Sequence, residues 1–177
     1  MHIALIRGVN VGGKGMIAMA ELRAACEKLR LKNPRTLLNS GNLVVESPDA
    51  PAQVESRLEK GMAKLLDREL EFFVRSPKEW DVIIKANPYV KEAKADPGRL
   101  VLLCFKDKVT PAAVKDLQKK IPGRETLEAW GREGYAYYPD GQGQSKFTGA
   151  LIDRTLGTRC TARNWNTVLK LAAMAAS

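Results

Sequence analysis

Two segments of the chain follow one pattern. FVRSPKEWDVIIK (73–85) and CTARNWNTVLKL (160–171) each run from strand-like residues through an arginine and a capped turn to a tryptophan. That tryptophan leads an apolar stripe at helical spacing. Two halves that close in the same way imply a duplicated unit, so the residues before each copy should share one order of elements.

The first half supplies that order. HIALIR (2–7) is a short, nearly continuous apolar run, which suits a strand covered on both faces. Met19, Leu22, Cys26 and Leu29 then recur at helical spacing. Pro34 enforces an extended entry into RTLLNSGNLVVES, where Ser40-Gly41-Asn42 reads as a tight turn between two strands. A helix begins near Pro51 with its stripe on Val54, Leu58, Met62 and Leu65. In ELEFFVRS (69–76), Leu70, Phe72 and Val74 alternate onto one face of a strand. Ser76-Pro77-Lys78-Glu79 is a helix start with a Ser cap, an early Pro and Glu three residues on.

The second half repeats the sequence of elements after a Pro-, Gly- and charge-containing linker. RLVLLCF (99–105) is a buried strand, and Thr110-Pro111 caps a helix with Val114, Leu117 and Ile121 inward. Two weaker strands are expected around 125–130 and 134–138, followed by the loop PDGQGQ. Ser145 is read as the cap of a helix bearing Phe147, Leu151 and Ile152. RCTAR (159–163) gives a last strand, and NWNTVLKLAAM a last helix with Trp165, Val168, Leu169 and Ala172 inward. The fold class is therefore α+β: duplicated ferredoxin-like β-α-β-β-α-β units, each followed by an extra helix. The expected division is 1–90 for the first unit, 91–98 for the linker and 99–177 for the second.

Charge is distributed unevenly. The formal net charge is +9 over 177 residues. Residues 1–40 carry 7 basic and 2 acidic side chains, and residues 141–177 carry 5 and 1. The stretch between holds 17 of each, so the whole excess lies at the two chain ends. Like charges at both ends call for something negative nearby if the ends meet, which points to an acidic partner. We therefore expect Arg7 or Lys14 to share a face with Arg163 or Lys146. No apolar run approaches the roughly 20 residues needed to span a bilayer, and no signal peptide is visible. Cys26, Cys104 and Cys160 lie far apart within apolar patterns, so buried thiols and a cytoplasmic location are expected.

Three segments concentrate candidate binding residues. RGVNVGGKG (7–15) nearly matches the phosphate-loop pattern, with Gly8, Gly13 and Lys14 in register, but Gly15 stands where a hydroxyl should hold Mg²⁺. Without that hydroxyl, and with a ferredoxin-like order, the match is a coincidence of glycines. The loop can still form an anion-binding nest from Asn10, Gly12 and Gly13, with Arg7 and Lys14 adding charge; the alternative is a glycine turn. Ser40 and Asn42 flank the hairpin glycine and are carried as binding candidates beside their turn role. At the last helix start, Asn164 is a cap, Arg163 can reach an anion, and Asn166 is a polar residue that capping leaves unexplained. Lys146 belongs to the PDGQGQSK loop. His2 begins the first strand and is the sole histidine, so no nucleophile–histidine pair can be drawn. The adjacent Ser145-Lys146 would point apart on a helix. No catalytic residue, metal site or cofactor is indicated.

RGVNVGGKG with MAELR behind it, SGN at 40–42, and YPDGQGQSKFTGALIDRTLG running into ARNWNTVLKL together resemble a bacterial family of unassigned function, domain of unknown function family 1697. The resemblance covers essentially the full chain. It implies an α+β protein of two ferredoxin-like units and implies no activity. The chain departs from the family's usual pattern at Ala18, Asn39, Gln144 and Gly149, where Pro, Gln, Arg and Asn are frequent.

The functional expectation is a cytoplasmic, non-enzymatic protein that takes a phosphate-bearing ligand in a basic cleft. Nucleic acid, RNA first, is one candidate and a nucleotide-like molecule the other; no membrane association is expected. The alternatives are an enzyme acting on a phosphorylated or carboxylated small metabolite, and a protein-interaction module. Base stacking of the RRM type has little support, since RTLLNSGNLVV offers no aromatic and the RNP pattern is missing around Tyr135 and Tyr137.

Overall fold

His2–Ile6 forms strand β1, buried along its whole length, in a computed structural model that describes residues 1–9 and 17–177. Both neighbours of β1 run antiparallel to it: β3 (Asn42–Glu46) on one side and β4 (Phe72–Arg75) on the other. With β2 (Lys32–Leu37) outside β3, the sheet order is β2-β3-β1-β4. A phosphate loop of the Mg²⁺-dependent kind follows a strand of a parallel sheet. The antiparallel pairing of β1 removes that framework.

Helices α1 (Met19–Lys28) and α2 (Pro51–Leu66) supply Leu22, Cys26, Val54, Leu58 and Met62 to one core. The strands answer with Ala4, Ile6, Leu43, Val45, Phe72 and Val74, alternate residues that share one sheet face. The opposite face is covered as well. Ile3 lines a small cavity of about 80 Å³ with Trp80, from helix α3 (Pro77–Lys85), and with Ala172 and Ala175. The capping box expected at the start of α3 is present: the Ser76 amide donates to Glu79 Oε2 at 2.7 Å and the Glu79 amide to Ser76 Oγ at 3.2 Å. Leu65, expected inward on α2, is 41% exposed, and Leu66 packs on the core in its place.

The Ser40-Gly41-Asn42 turn holds this first unit together at the end of β1. Gly41 has φ +75°, and a Cβ there would lie 2.5 Å from Val9 Cγ1 and 2.8 Å from Ile6 Cβ. Only glycine meets both conditions. The Ile6 amide donates to the Gly41 carbonyl at 2.7 Å.

The chain divides into two compact units, Met1–Val82 with Leu171–Ser177, and Ile83–Lys170. The second unit opens with the short helix α4 (Val90–Ala95), inside the stretch expected as a linker. Strand β5 (Leu100–Val109) is central, between β6 (Thr126–Tyr137) and β7 (Cys160–Asn164), and all pairs are antiparallel. β5 pairs through Leu100↔Tyr137 to Cys104↔Glu133. Helix α5 (Pro111–Lys119) begins at Thr110, whose side chain accepts from the Ala113 amide, as expected.

β6 is one run of extended residues that folds back on itself. The Trp130 and Tyr135 ring centroids lie 5.4 Å apart, and a Cβ on Gly134 would lie 3.2 Å from Ala129 Cβ. Residues five apart in a straight strand are separated by about 16 Å. The reversal falls at Gly131, with φ +60°. Glycine first and an ordinary residue second is the preference of a type II′ hairpin turn. Residues 126–130 and 133–137 are therefore the two arms expected from the sequence, and the second unit keeps the β-α-β-β-α-β order of the first.

Two local expectations need correction. The helix after PDGQGQ, α6 (Gly149–Leu156), is capped by Thr148, which accepts from the Leu151 amide. Ser145 does not cap it, because its hydroxyl is engaged by Glu125 and the Phe147 amide. In the last helix, α7 (Trp165–Ala176), Leu169 is 45% exposed, while Leu171 is fully buried beside Trp165 and Val168 on the inward stripe.

Candidate functional site

Asn10, Gly12, Gly13 and Lys14 lie outside the described residues. Arg7, just before them, is half-buried beside β4. Its amide donates to the Glu71 carbonyl, and its guanidinium pairs with Glu71 Oε2 at 3.0 Å. Ser40 is exposed. Asn42 is fully buried, and its amide donates to the Leu37 carbonyl at 2.9 Å and to Ser40 Oγ at 3.0 Å. Those bonds close the β2–β3 turn, so Asn42 has a structural job whatever else the loop does.

In the second unit, β7 passes directly into α7, and the polar residues at this junction separate into different roles. Asn164 is exposed and caps the helix, its Oδ1 accepting from the Thr167 amide and hydroxyl at 3.0 Å each. Asn166 is exposed on the first turn. Arg163 is not the free cation that the sequence suggests. It is 9% exposed, and its Nη1 donates to Thr161 Oγ1 at 2.9 Å and the Ala162 carbonyl at 2.7 Å. Burial holds the guanidinium down to about 10. Arg75 occupies the matching place on β4, fully buried, with Nη1 donating to the Val74 carbonyl at 3.0 Å. The repeated arginine belongs to the duplicated fold.

Lys146 lies elsewhere in this unit, where the base of the β6 hairpin meets the PDGQGQSK loop. It lines a cavity of about 380 Å³ with Arg124, Glu125, Asp140, Gln144 and Ser145. Two of these charges cancel. Arg124 forms a forked pair with Asp140, and that partner holds the Asp140 carboxyl below the usual carboxylate range. Lys146 is exposed, and its ammonium has no hydrogen-bond or ion-pair partner among the described residues. Ser145 Oγ donates to Glu125 Oε1 and accepts from the Phe147 amide at 3.0 Å. Glu125 Oε2 is buried with no hydrogen-bond partner among the described residues. Sequence reasoning missed Arg124, Glu125 and Asp140. The signal was the hairpin itself, whose ends face each other once it closes.

The histidine and the three cysteines are sequestered. His2 is buried, with Nε2 3.2 Å from the Ser47 carbonyl, and desolvation lowers its pKa below the ordinary histidine value. The three cysteines are buried, and burial pushes the Cys26 thiol up to about 12. Tyr135 is also buried and donates to the Ile83 carbonyl at 2.7 Å, so it offers no face for stacking a base. Among the described residues no group of three or more His, Cys, Asp or Glu is placed to hold a metal, and no helix is long and apolar enough to cross a membrane.

The architecture is shared with a solved structure, the conserved bacterial protein SP0830 from Streptococcus pneumoniae. The TM-score is 0.75 at 24% identity, covering 98% of this chain and 97% of that one. At that identity the likeness shows a common fold. A comparison with curated proteins gave no match. The family model described as "Protein of unknown function (DUF1697)" matches residues 1–135, from β1 through the turn of the second-unit hairpin. With most of its length matched in this way and the fold retained to its end, the chain belongs to the DUF1697 family.

Proposed function

We propose that the protein binds a phosphate-bearing ligand without acting on it, and that the ligand occupies the Lys146 cavity of the second unit. The observation that carries this reading is the ammonium of Lys146, without a partner among the described residues, beside an Arg124–Asp140 pair that is already neutralised. A cation held at a concave site without a carboxylate partner is available to an anion. The cavity volume, about 380 Å³, is enough to seat a nucleotide-like molecule. Binding is favoured over catalysis because His2 and the three cysteines are buried.

The test is a titration of adenosine monophosphate and of a single-stranded RNA at two salt concentrations. Lys146→Ala should weaken binding roughly ten- to a hundred-fold, the value of one charge-assisted hydrogen bond. Unchanged affinity in that variant would sink this reading. An enzyme acting on a phosphorylated metabolite is the second reading, and the Ser145–Glu125 hydrogen bond favours it. Turnover of a phosphate ester that is lost in Ser145→Ala would establish it.

A further inference from the structure

The wall of the cavity holds a covered carboxylate oxygen with no partner among the described residues, as well as a cation with none. The Ser145 hydroxyl occupies Glu125 Oε1, while Oε2 is buried and has no partner among the described residues. Buried acceptors are rarely left unpaired, and an ionised one is costly to leave so. The backbone makes room for this oxygen: a Cβ on residue 123 would lie 2.5 Å from Glu125 Oε2, so glycine at 123 lets the carboxylate sit where it does. Glu125 is held on its other side, since the Phe147 amide fixes the Ser145 hydroxyl that binds it. Rotation about the last Glu torsion is soft, so the carboxylate can release the Ser145 hydroxyl and turn its covered oxygen toward an arriving donor.

The charges add a second constraint. Arg124 and Asp140 neutralise each other, which leaves Lys146 and Glu125 as opposite charges in one cavity. A phosphate group attracted by Lys146 is also repelled by the Glu125 carboxylate unless a donor of the same molecule reaches that carboxylate. A molecule that carries both an anion and a hydrogen-bond donor satisfies both groups.

We infer that the Lys146 cavity selects small organic phosphates bearing a hydroxyl or amine, with Lys146 taking the phosphate and Glu125 taking the donor. This rests on the phosphate-binding reading above and names its substrate class. Specificity comes mainly from Glu125. A ligand without the donor leaves the carboxylate oxygen unpaired and meets its charge, while a ligand with the donor meets a charge-assisted acceptor.

Calorimetric titration with glycerol 3-phosphate, ethyl phosphate, inorganic phosphate and a single-stranded RNA tests this. The first two are both phosphate monoesters, and glycerol 3-phosphate adds hydroxyls. Glycerol 3-phosphate should bind at least about tenfold tighter than ethyl phosphate, the ratio expected from one charge-assisted hydrogen bond. Lys146→Ala should weaken both esters. Glu125→Ala should abolish the preference for glycerol 3-phosphate over ethyl phosphate. Glu125→Gln, which keeps the size of the side chain and removes its charge, should reduce the preference; it provides the readout if Glu125→Ala fails to fold. Equal, Lys146-dependent binding of the two esters would overturn the inference and leave the phosphate reading standing. RNA binding through Lys146 with no binding of either ester would also overturn it. Failure of all four probes to bind would remove both.

Discussion

The rings of Trp130 and Tyr135 sit 5.4 Å apart across a hairpin whose turn is Gly131, at φ +60°. A side chain at this φ is strained by contact with its own backbone. Gly131→Val should lower stability by roughly 1–2 kcal/mol. Urea denaturation should show this, together with a change in near-ultraviolet circular dichroism as Trp130 and Tyr135 separate. An unchanged midpoint would mean that β6 does not reverse here.

Gly41 is the more demanding glycine. It combines φ +75° with backbone so close to Val9 and Ile6 that a methyl group has no space. Gly41→Ala should cost roughly 2–4 kcal/mol, from overpacking added to backbone strain. The comparison variant is Gly141→Ala: that residue has φ +87° but nothing within 4 Å of an added Cβ. It should cost only the strain, and a matched loss in the two variants would contradict this account of the turn.

Burial lowers the pKa of His2 in the folded protein below its ordinary 6.5. The unfolded chain therefore binds the proton more readily as pH falls through and below 6.5. The stabilisation is complete above that value and is lost progressively on acidification. Urea midpoints measured between pH 7.5 and 5 should fall in the wild type and fall less steeply in His2→Gln. Parallel slopes would show that His2 does not contribute.

Arg163 should behave as a core residue. Arg163→Ala removes buried aliphatic packing and the partners of the Thr161 hydroxyl and Ala162 carbonyl, at a cost of about 2–4 kcal/mol. Lys146→Ala, at an exposed side chain, should change stability by less than about 0.5 kcal/mol. Thermal melts of the two variants side by side would show the contrast, and equal melting temperatures would refute it.

The order of elements was legible in the sequence because its signals are local. Apolar spacing marked α1 and β4, Ser76 and Glu79 announced α3, and Thr110 announced α5. The duplication was visible in the repeated arginine and tryptophan. Sequence alone could not tell which of these residues would be charged and exposed. Arg163 and Lys146 both read as binding candidates, yet β7 carries Arg163 into the interior and the loop leaves Lys146 in solvent.

The sequence by itself determined an α+β chain of two similar units, because helical and strand periodicities and their caps act over a few residues. Only the tertiary structure decided where the candidate site lies. Glu125 and Ser145 are twenty residues apart, and no pattern within either segment points to the other. They meet because the β6 hairpin closes at Gly131 and returns the chain beside its own start. Burial and hydrogen-bond pairing depend on those long-range contacts.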